Sequence, residues 1–140
     1  IYGRAAASHI SKTIESSQNL NGVAPWDASR VTNSDEDVVI LQNWAEIRRF
    51  MWNYVGIVRT DKRLRRALNR TLLLSREINE LYSNFRMTTH LIELRNLIVV
   101  AELIIKSAMK RKESRGLHYT VDHPNLSKNP TDTILIPESD

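Results

Sequence analysis

The feature that most constrains this chain is an apolar periodicity running from Thr88 towards Tyr119. Leu91, Leu94, Ile98, Ala101, Ile105 and Ala108 recur at alternating intervals of three and four, and Leu97 and Ile104 widen the stripe. That alternation keeps one side chain per turn on the same face of an α-helix. Thr88 or Thr89 offers an N-cap oxygen, and Lys106, Lys110, Arg111 and Lys112 bring positive charge to the last turns, where it opposes the helix dipole. Gly116 is placed to take the left-handed conformation that ends a helix. At roughly 1.5 Å per residue such a helix extends about 40 Å, so it needs partners of similar length.

The two preceding segments supply them. Asp37 follows Ser34 at the spacing of a capping box. The helix it opens carries Ile40, Trp44, Ile47, Met51, Tyr54 and Val58, with a second stripe of Leu41, Ala45, Trp52 and Val55 beside it. An apolar face that wide is expected to be buried on two sides. Thr60-Asp61 starts another helix almost at once, with Leu64, Ala67, Thr71, Leu74, Ile78, Leu81 and Phe85 in register. Connections so short force neighbouring helices to run antiparallel. The expected fold is all-α: an up-down-up three-helix bundle, spectrin-repeat-like, with a short N-terminal helix before it and an irregular C-terminal tail after it. In the N-terminal helix Ala6, Ile10 and Ile14 share a face. Polar, turn-rich sequence follows it, anchored at one point by Pro25-Trp26-Asp27. Thr133-Ile134-Leu135-Ile136 is a candidate extended segment within the tail.

Composition then removes whole classes of function. The chain has no cysteine, so disulfide frameworks and thiolate metal sites are out, and a reducing, cytoplasmic compartment is expected. No apolar run approaches the ~20 residues that span a bilayer, so no membrane partner is expected. The basic cluster Arg59, Lys62, Arg63, Arg65, Arg66 and Arg70 is the nearest thing to a nucleic-acid footprint. Its spacing scatters it around a helix, which reads as a solvated surface. His118 and His123 flank Asp122, yet the spacing is not that of a helical metal site, and no metal is expected. Glu93, Glu102 and Glu113 fall at intervals of an exposed helical face. No glycine-rich phosphate loop and no nucleophile elbow is present. On its residues alone, this chain carries no active site.

Several strings together resemble one family. They are Trp26-Asp27-Ala28-Ser29-Arg30, Gln42-Asn43-Trp44, Met51-Trp52-Asn53-Tyr54-Val55-Gly56-Ile57-Val58-Arg59, Glu93-Leu94-Arg95-Asn96-Leu97 and Glu113-Ser114-Arg115-Gly116-Leu117-His118-Tyr119. The chain resembles, over Ile1 to Pro124, the C-terminal helical domain of the succinate dehydrogenase and fumarate reductase flavoproteins. Within that family the strings are similar to the branch that oxidises L-aspartate to iminoaspartate, the first step of bacterial de novo NAD synthesis. That branch holds FAD non-covalently and passes electrons to oxygen or fumarate. The dehydrogenase and fumarate reductase subunits themselves usually carry an Arg-Asp-Asp segment that Asp122-His123-Pro124-Asn125 lacks.

The resemblance implies a division into 1–17, the end of a helix of the FAD domain; 18–34, a linker; 35–116, the bundle; and 117–140, the tail. It also implies that the flavin-binding and substrate-binding groups lie upstream of Ile1, so no catalytic or cofactor-binding residue is assigned here. Arg115, His118 and Tyr119 are expected to contact the FAD domain of the same polypeptide, since Gly116 turns them out together at one corner of the bundle. A basic helical module for nucleic acid is the alternative from another class.

Overall fold

In the computed structural model, which describes residues 2–14, 24, 25, 27, 29 and 37–137, the elements run α1 (Tyr2–Thr13), α2 (Asp37–Tyr54), β1 (Val58–Arg59), α3 (Asp61–Asn84), α4 (Thr89–Lys110) and β2 (Tyr119–Thr120). The three long helices form the bundle, and α3 and α4 share its most extensive contact. Two threonines set the register at its turns. Thr60 Oγ1 accepts from the Arg63 N–H at 3.1 Å, and Thr88 Oγ1 accepts from the Leu91 N–H at 3.2 Å. Each satisfies one of the donors that a helix start leaves open.

The core follows the periodicity closely on two helices. Leu64, Ala67, Thr71, Leu74 and Ile78 are the buried residues of α3, and Leu91, Leu94, Ile98, Ala101, Ile105 and Ala108 those of α4. Thr71 is accommodated because its hydroxyl donates back to the Ala67 carbonyl at 2.9 Å. Full burial of each Leu or Ile contributes about 1.5–3 kcal/mol, so this seam accounts for much of what holds the helices together.

On α2 the two expected stripes fare differently: the first is covered except at Val58, which is 53% exposed, and of the second only Val55, just past the helix end, is buried. Ile40, Ile47 and Phe50 are buried together with Asn43, and Trp44, Met51 and Tyr54 pack against them. Leu41 and Trp52 stand 63% and 83% exposed, and Ala45 is exposed as well. Two neighbouring helices meet α2 on one side of its axis, so its other side faces solvent.

Two helix ends also differ from expectation. α2 stops at Tyr54 rather than running to Val58, and α4 stops at Lys110, well short of Gly116. In both places long-range backbone partners replace the helical ones. Val58–Arg59 pairs in parallel with Tyr119–Thr120, which adds a small strand pair to an otherwise helical fold. Past α4, the Ser114 N–H donates to the Asn125 carbonyl at 3.2 Å and the Arg115 N–H to the His118 carbonyl at 2.8 Å. Gly116 does adopt a positive φ, 58°, but it serves the turn of this Arg115–His118 bridge and not a helix cap.

The tail between 124 and 137 forms no strand, at Thr133–Ile136 or elsewhere. It lies against the end of α4, where Lys110 Nζ donates to the Ile134 carbonyl at 2.6 Å and Arg111 donates to the Thr131 carbonyl and Thr133 hydroxyl. No residue of α1 is buried. Trp26, Ser34 and most of the 18–34 linker lie outside the described residues.

Candidate functional site

The chemistry-bearing residues of this chain gather at one corner, where the α2–α3 junction meets the segment after α4. The short turn from Tyr54 to Asp61 brings Arg59 there. The bridge at Arg115 and His118 brings the second strand alongside, so that the Tyr119 N–H donates to the Ile57 carbonyl at 3.3 Å and the Val121 N–H to the Arg59 carbonyl at 2.9 Å.

Arg59 and His118 form the centre. Arg59 Nε donates to the Gly56 carbonyl at 2.7 Å, and its Nη1 lies 2.7 Å from His118 Nδ1. His118 Nε2 lies 3.2 Å from the Arg111 carbonyl, which can only accept. The proton of the imidazole therefore sits on Nε2, and Nδ1 accepts from the guanidinium. Burial is the main cause that pushes His118 below its ordinary range, and the neighbouring Arg59 and Arg111 charges add to it. The imidazole here is a neutral spacer between a cation and a carbonyl.

Glu113 is the second node. It is 5% exposed, whereas its position in the sequence suggested an open helical face. Arg111 Nη1 donates to it at 2.6 Å, Arg115 Nε and Nη2 at 3.1 Å and 3.0 Å, and the Ser127 N–H at 2.9 Å. Arg115 first, then the Ser127 amide, hold its carboxyl below the usual carboxylate range. The other two acids of that set behave differently: Glu93 is exposed, and Glu102 pairs with Lys106 one turn on, at 2.6 Å.

The third node is the start of α3. The Asp61 N–H donates to Asp122 Oδ2 at 2.6 Å, so a carboxylate from the tail side occupies the positive end of that helix. The Asp61 carboxylate in turn receives Lys112 Nζ at 2.8 Å and His123 Nε2 at 3.2 Å, and Lys112 is the main cause that depresses its pKa. Ser114 Oγ ties the two sides together, donating to the His123 carbonyl at 2.9 Å and accepting from the Thr120 N–H at 3.0 Å.

This geometry separates the residues that looked metal-like. His118 serves Arg59, Asp122 serves the α3 amide and His123 serves Asp61. Among the described residues no group of three or more acids and histidines is placed to hold a metal ion. Of the basic cluster, Arg59 is half-buried and bonded inward, Arg70 pairs with Glu46, and Lys62, Arg63, Arg65 and Arg66 are exposed. Arg115, His118 and Tyr119 lie near one another at the corner, but not alike. Arg115 and His118 already have partners in this chain, while Tyr119 turns outward at 43% exposure. The sequence reading named Asp61, Asp122 and Ser114 but not the contacts they make here. Asp61 and Asp122 meet across 61 positions and Ser114 reaches partners in an irregular segment six and nine residues on, so no local pattern marks these pairings.

The starts of α3 and α4, where a helix could receive a phosphate, are taken up within the chain. The start of α3 is filled by Asp122, and the first amides of α4 are met by Thr88. An open groove of about 650 Å³ runs between Leu103 and Ile104 of α4 and the Arg59–His118 pair. Arg111 on its wall is already committed to Glu113, Thr131 and Thr133. The corner is a polar clamp in which Ser114 Oγ, His118 and the Asp61–His123 pair are all engaged in hydrogen bonds within the chain. No helix among the described residues is long and apolar enough to cross a membrane.

Comparison with known proteins bears on what such a clamp belongs to. Residues 44–133 match the family model described as "Fumarate reductase flavoprotein C-term". The L-aspartate oxidase of Pseudomonas aeruginosa is 57% identical over 98% of this chain and 26% of its own length. That of Acinetobacter baylyi is 56% identical over 98% of this chain and 25% of its own length. A solved structure titled "Mycobacterium smegmatis Sdh1 in complex with UQ1" superposes with a TM-score of 0.54 at 23% identity, covering 89% of this chain and 20% of that one. That last likeness concerns the fold alone. The chain spans about a quarter of the length of the curated relatives it matches.

Proposed function

This chain belongs to the fumarate reductase flavoprotein C-terminal family, and on that premise we propose that it is the C-terminal helical domain of an FAD-dependent L-aspartate oxidase. The observation that carries the reading is identity of 57% sustained over 98% of the chain to an enzyme of that name. The whole enzyme takes L-aspartate to iminoaspartate, removing two electrons and two protons, and delivers the electrons to oxygen or fumarate. FAD, substrate and acceptor belong on this reading to the larger remainder of the polypeptide, as the match to only about a quarter of the relatives' length supports. A cytoplasmic location belongs to the same proposal.

The role of this domain is to dock on the FAD domain and keep it ordered. Arg115 and Tyr119 reach outward from the corner and make the contact, while His118 holds Arg59 behind them. The test of the activity is anaerobic addition of L-aspartate to the full-length protein. Bleaching of the flavin band with release of oxaloacetate and ammonia is expected; bleaching by succinate and not by L-aspartate overturns the reading. The 140-residue chain alone is expected to be colourless and inactive, and a bound flavin in it would remove the division of labour. For the docking role, Arg115→Ala in the full-length enzyme is expected to weaken flavin retention and leave KM for L-aspartate nearly unchanged. A sharply raised KM at normal stability would make Arg115 a substrate ligand instead.

A further inference from the structure

The strand pair at the corner is built inside out. In a parallel pair, residues in register share a face and successive residues alternate between faces. The register here is Val58 with Tyr119 and Arg59 with Thr120. Arg59 and Thr120 turn towards the bundle, where Thr120 is 2% exposed and Arg59 is bonded to His118. The other face carries Val58 and Tyr119, 53% and 43% exposed, and the residues flanking β2, Leu117 in the turn before it and Val121 after it, are 78% and 52% exposed. Polar side chains therefore face the domain's interior and apolar ones face water, the reverse of what a solvated sheet face requires. Parallel strands occur almost only with both faces covered, and two strands alone are marginal in water.

From this we infer that the outer face of the β1–β2 pair is a seam, and that the FAD-binding part of the same polypeptide covers it. The inference rests on the docking role proposed above and deepens it. It replaces a charged corner with an apolar row as the main contact. The chain's own tail is not the cover, because Leu117, Tyr119 and Val121 stay exposed with the tail in place against α4. About three-quarters of the length of the curated relatives lies outside the matched region, tethered to it and so present at high effective concentration.

Single substitutions in the full-length, flavin-loaded enzyme test it: Leu117→Cys and Val121→Cys on the seam, Val99→Cys on the outer face of α4, and Arg76→Cys as an exposed control on α3. Each is labelled with a maleimide and the rate at that site is read by peptide mass spectrometry. The seam thiols are expected to react at least tenfold more slowly than the one at position 76, at every protein concentration. If the seam thiols react as fast as the control while position 99 is protected, the seam is wrong and docking through α4 stands. If all three test sites react freely, the docking role fails with it. Protection that disappears on dilution identifies a second copy as the cover and overturns the inference. Should a cysteine variant lose its flavin, hydroxyl-radical footprinting of Leu117 and Tyr119 in the unsubstituted enzyme decides the same question. Low oxidation of both supports the seam, and solvent-like oxidation refutes it.

Discussion

The bundle core and the corner beside it are held together by opposite means. In the core, contacts are apolar, and any side chain of the right volume on the right face would serve. At the corner nearly every contact is directional: Glu113 satisfies two guanidiniums and an amide, and Asp122 caps a helix that begins 61 residues earlier. The difference teaches where each kind of force is useful. Apolar burial gives stability but tolerates sliding along a helix axis. A network of charge-assisted hydrogen bonds fixes position, and it sits where the bundle must present a defined surface.

Substitutions can break or sharpen that contrast. The largest effect is expected from Ile78→Ala, since Ile78 is 0% exposed in the buried stripe of α3. It should cost about 2–5 kcal/mol in chemical denaturation of the 140-residue chain. An unchanged midpoint would mean that the bundle does not depend on this stripe. Thr60→Ala comes next, because it removes the α3 cap that joins the two regions. About 1 kcal/mol is expected, read in the same way. A loss as large as that of Ile78→Ala would show that the corner, and not the core, dominates stability.

Acid should separate the regions further. His118 titrates below its ordinary value of 6.5 in the folded chain, so the unfolded chain binds that proton more readily. Its contribution is complete above that value and is lost as pH falls through the folded pKa. Asp61 and Glu113 are held below their ordinary 3.8 and 4.5, so their contributions are lost only further down. The melting temperature should therefore decline in two stages, and His118→Gln should abolish the first. A single acid stage in the unsubstituted protein would argue against the neutral imidazole. The smallest effect is expected from Trp52→Ala, whose ring is 83% exposed on the uncovered side of α2. Stability of the 140-residue chain should change by no more than about 0.5 kcal/mol. A larger loss would show that the outer side of α2 is covered after all.

How much can be read from the sequence follows the same division. The α3 and α4 stripes are legible in their main line, though Ile104 is exposed and Phe85 falls past the end of α3, because a helix repeats locally: the interval from Leu91 to Leu94 already states which way both point. The second stripe of α2 misleads, since periodicity shows that Leu41 and Trp52 share a side but not whether a neighbour exists there. The helix ends mislead for a different reason. Gly116 is legible as a left-handed position, yet only the distant partners of Arg115 and Ser114 decide that the helix has already ended at Lys110. The clamp itself is legible only as a family string. Arg59 with His118 and Asp61 with Asp122 are pairings that no window of the sequence contains.

The cap that Asp122 places on α3 carries a consequence for synthesis. Translation delivers Asp61 long before Asp122, so the second and third long helices can associate while the start of α3 still lacks that carboxylate. The corner closes only when the segment beyond α4 has emerged from the ribosome and folded back. Because Arg59 and Asp61 both await partners from that segment, the closed corner records that the segment has been made. A ribosome that stalled after Gly116 would release a bundle with an intact apolar seam and no second strand. On that view the corner reports that the segment beyond α4 has been made and has folded back.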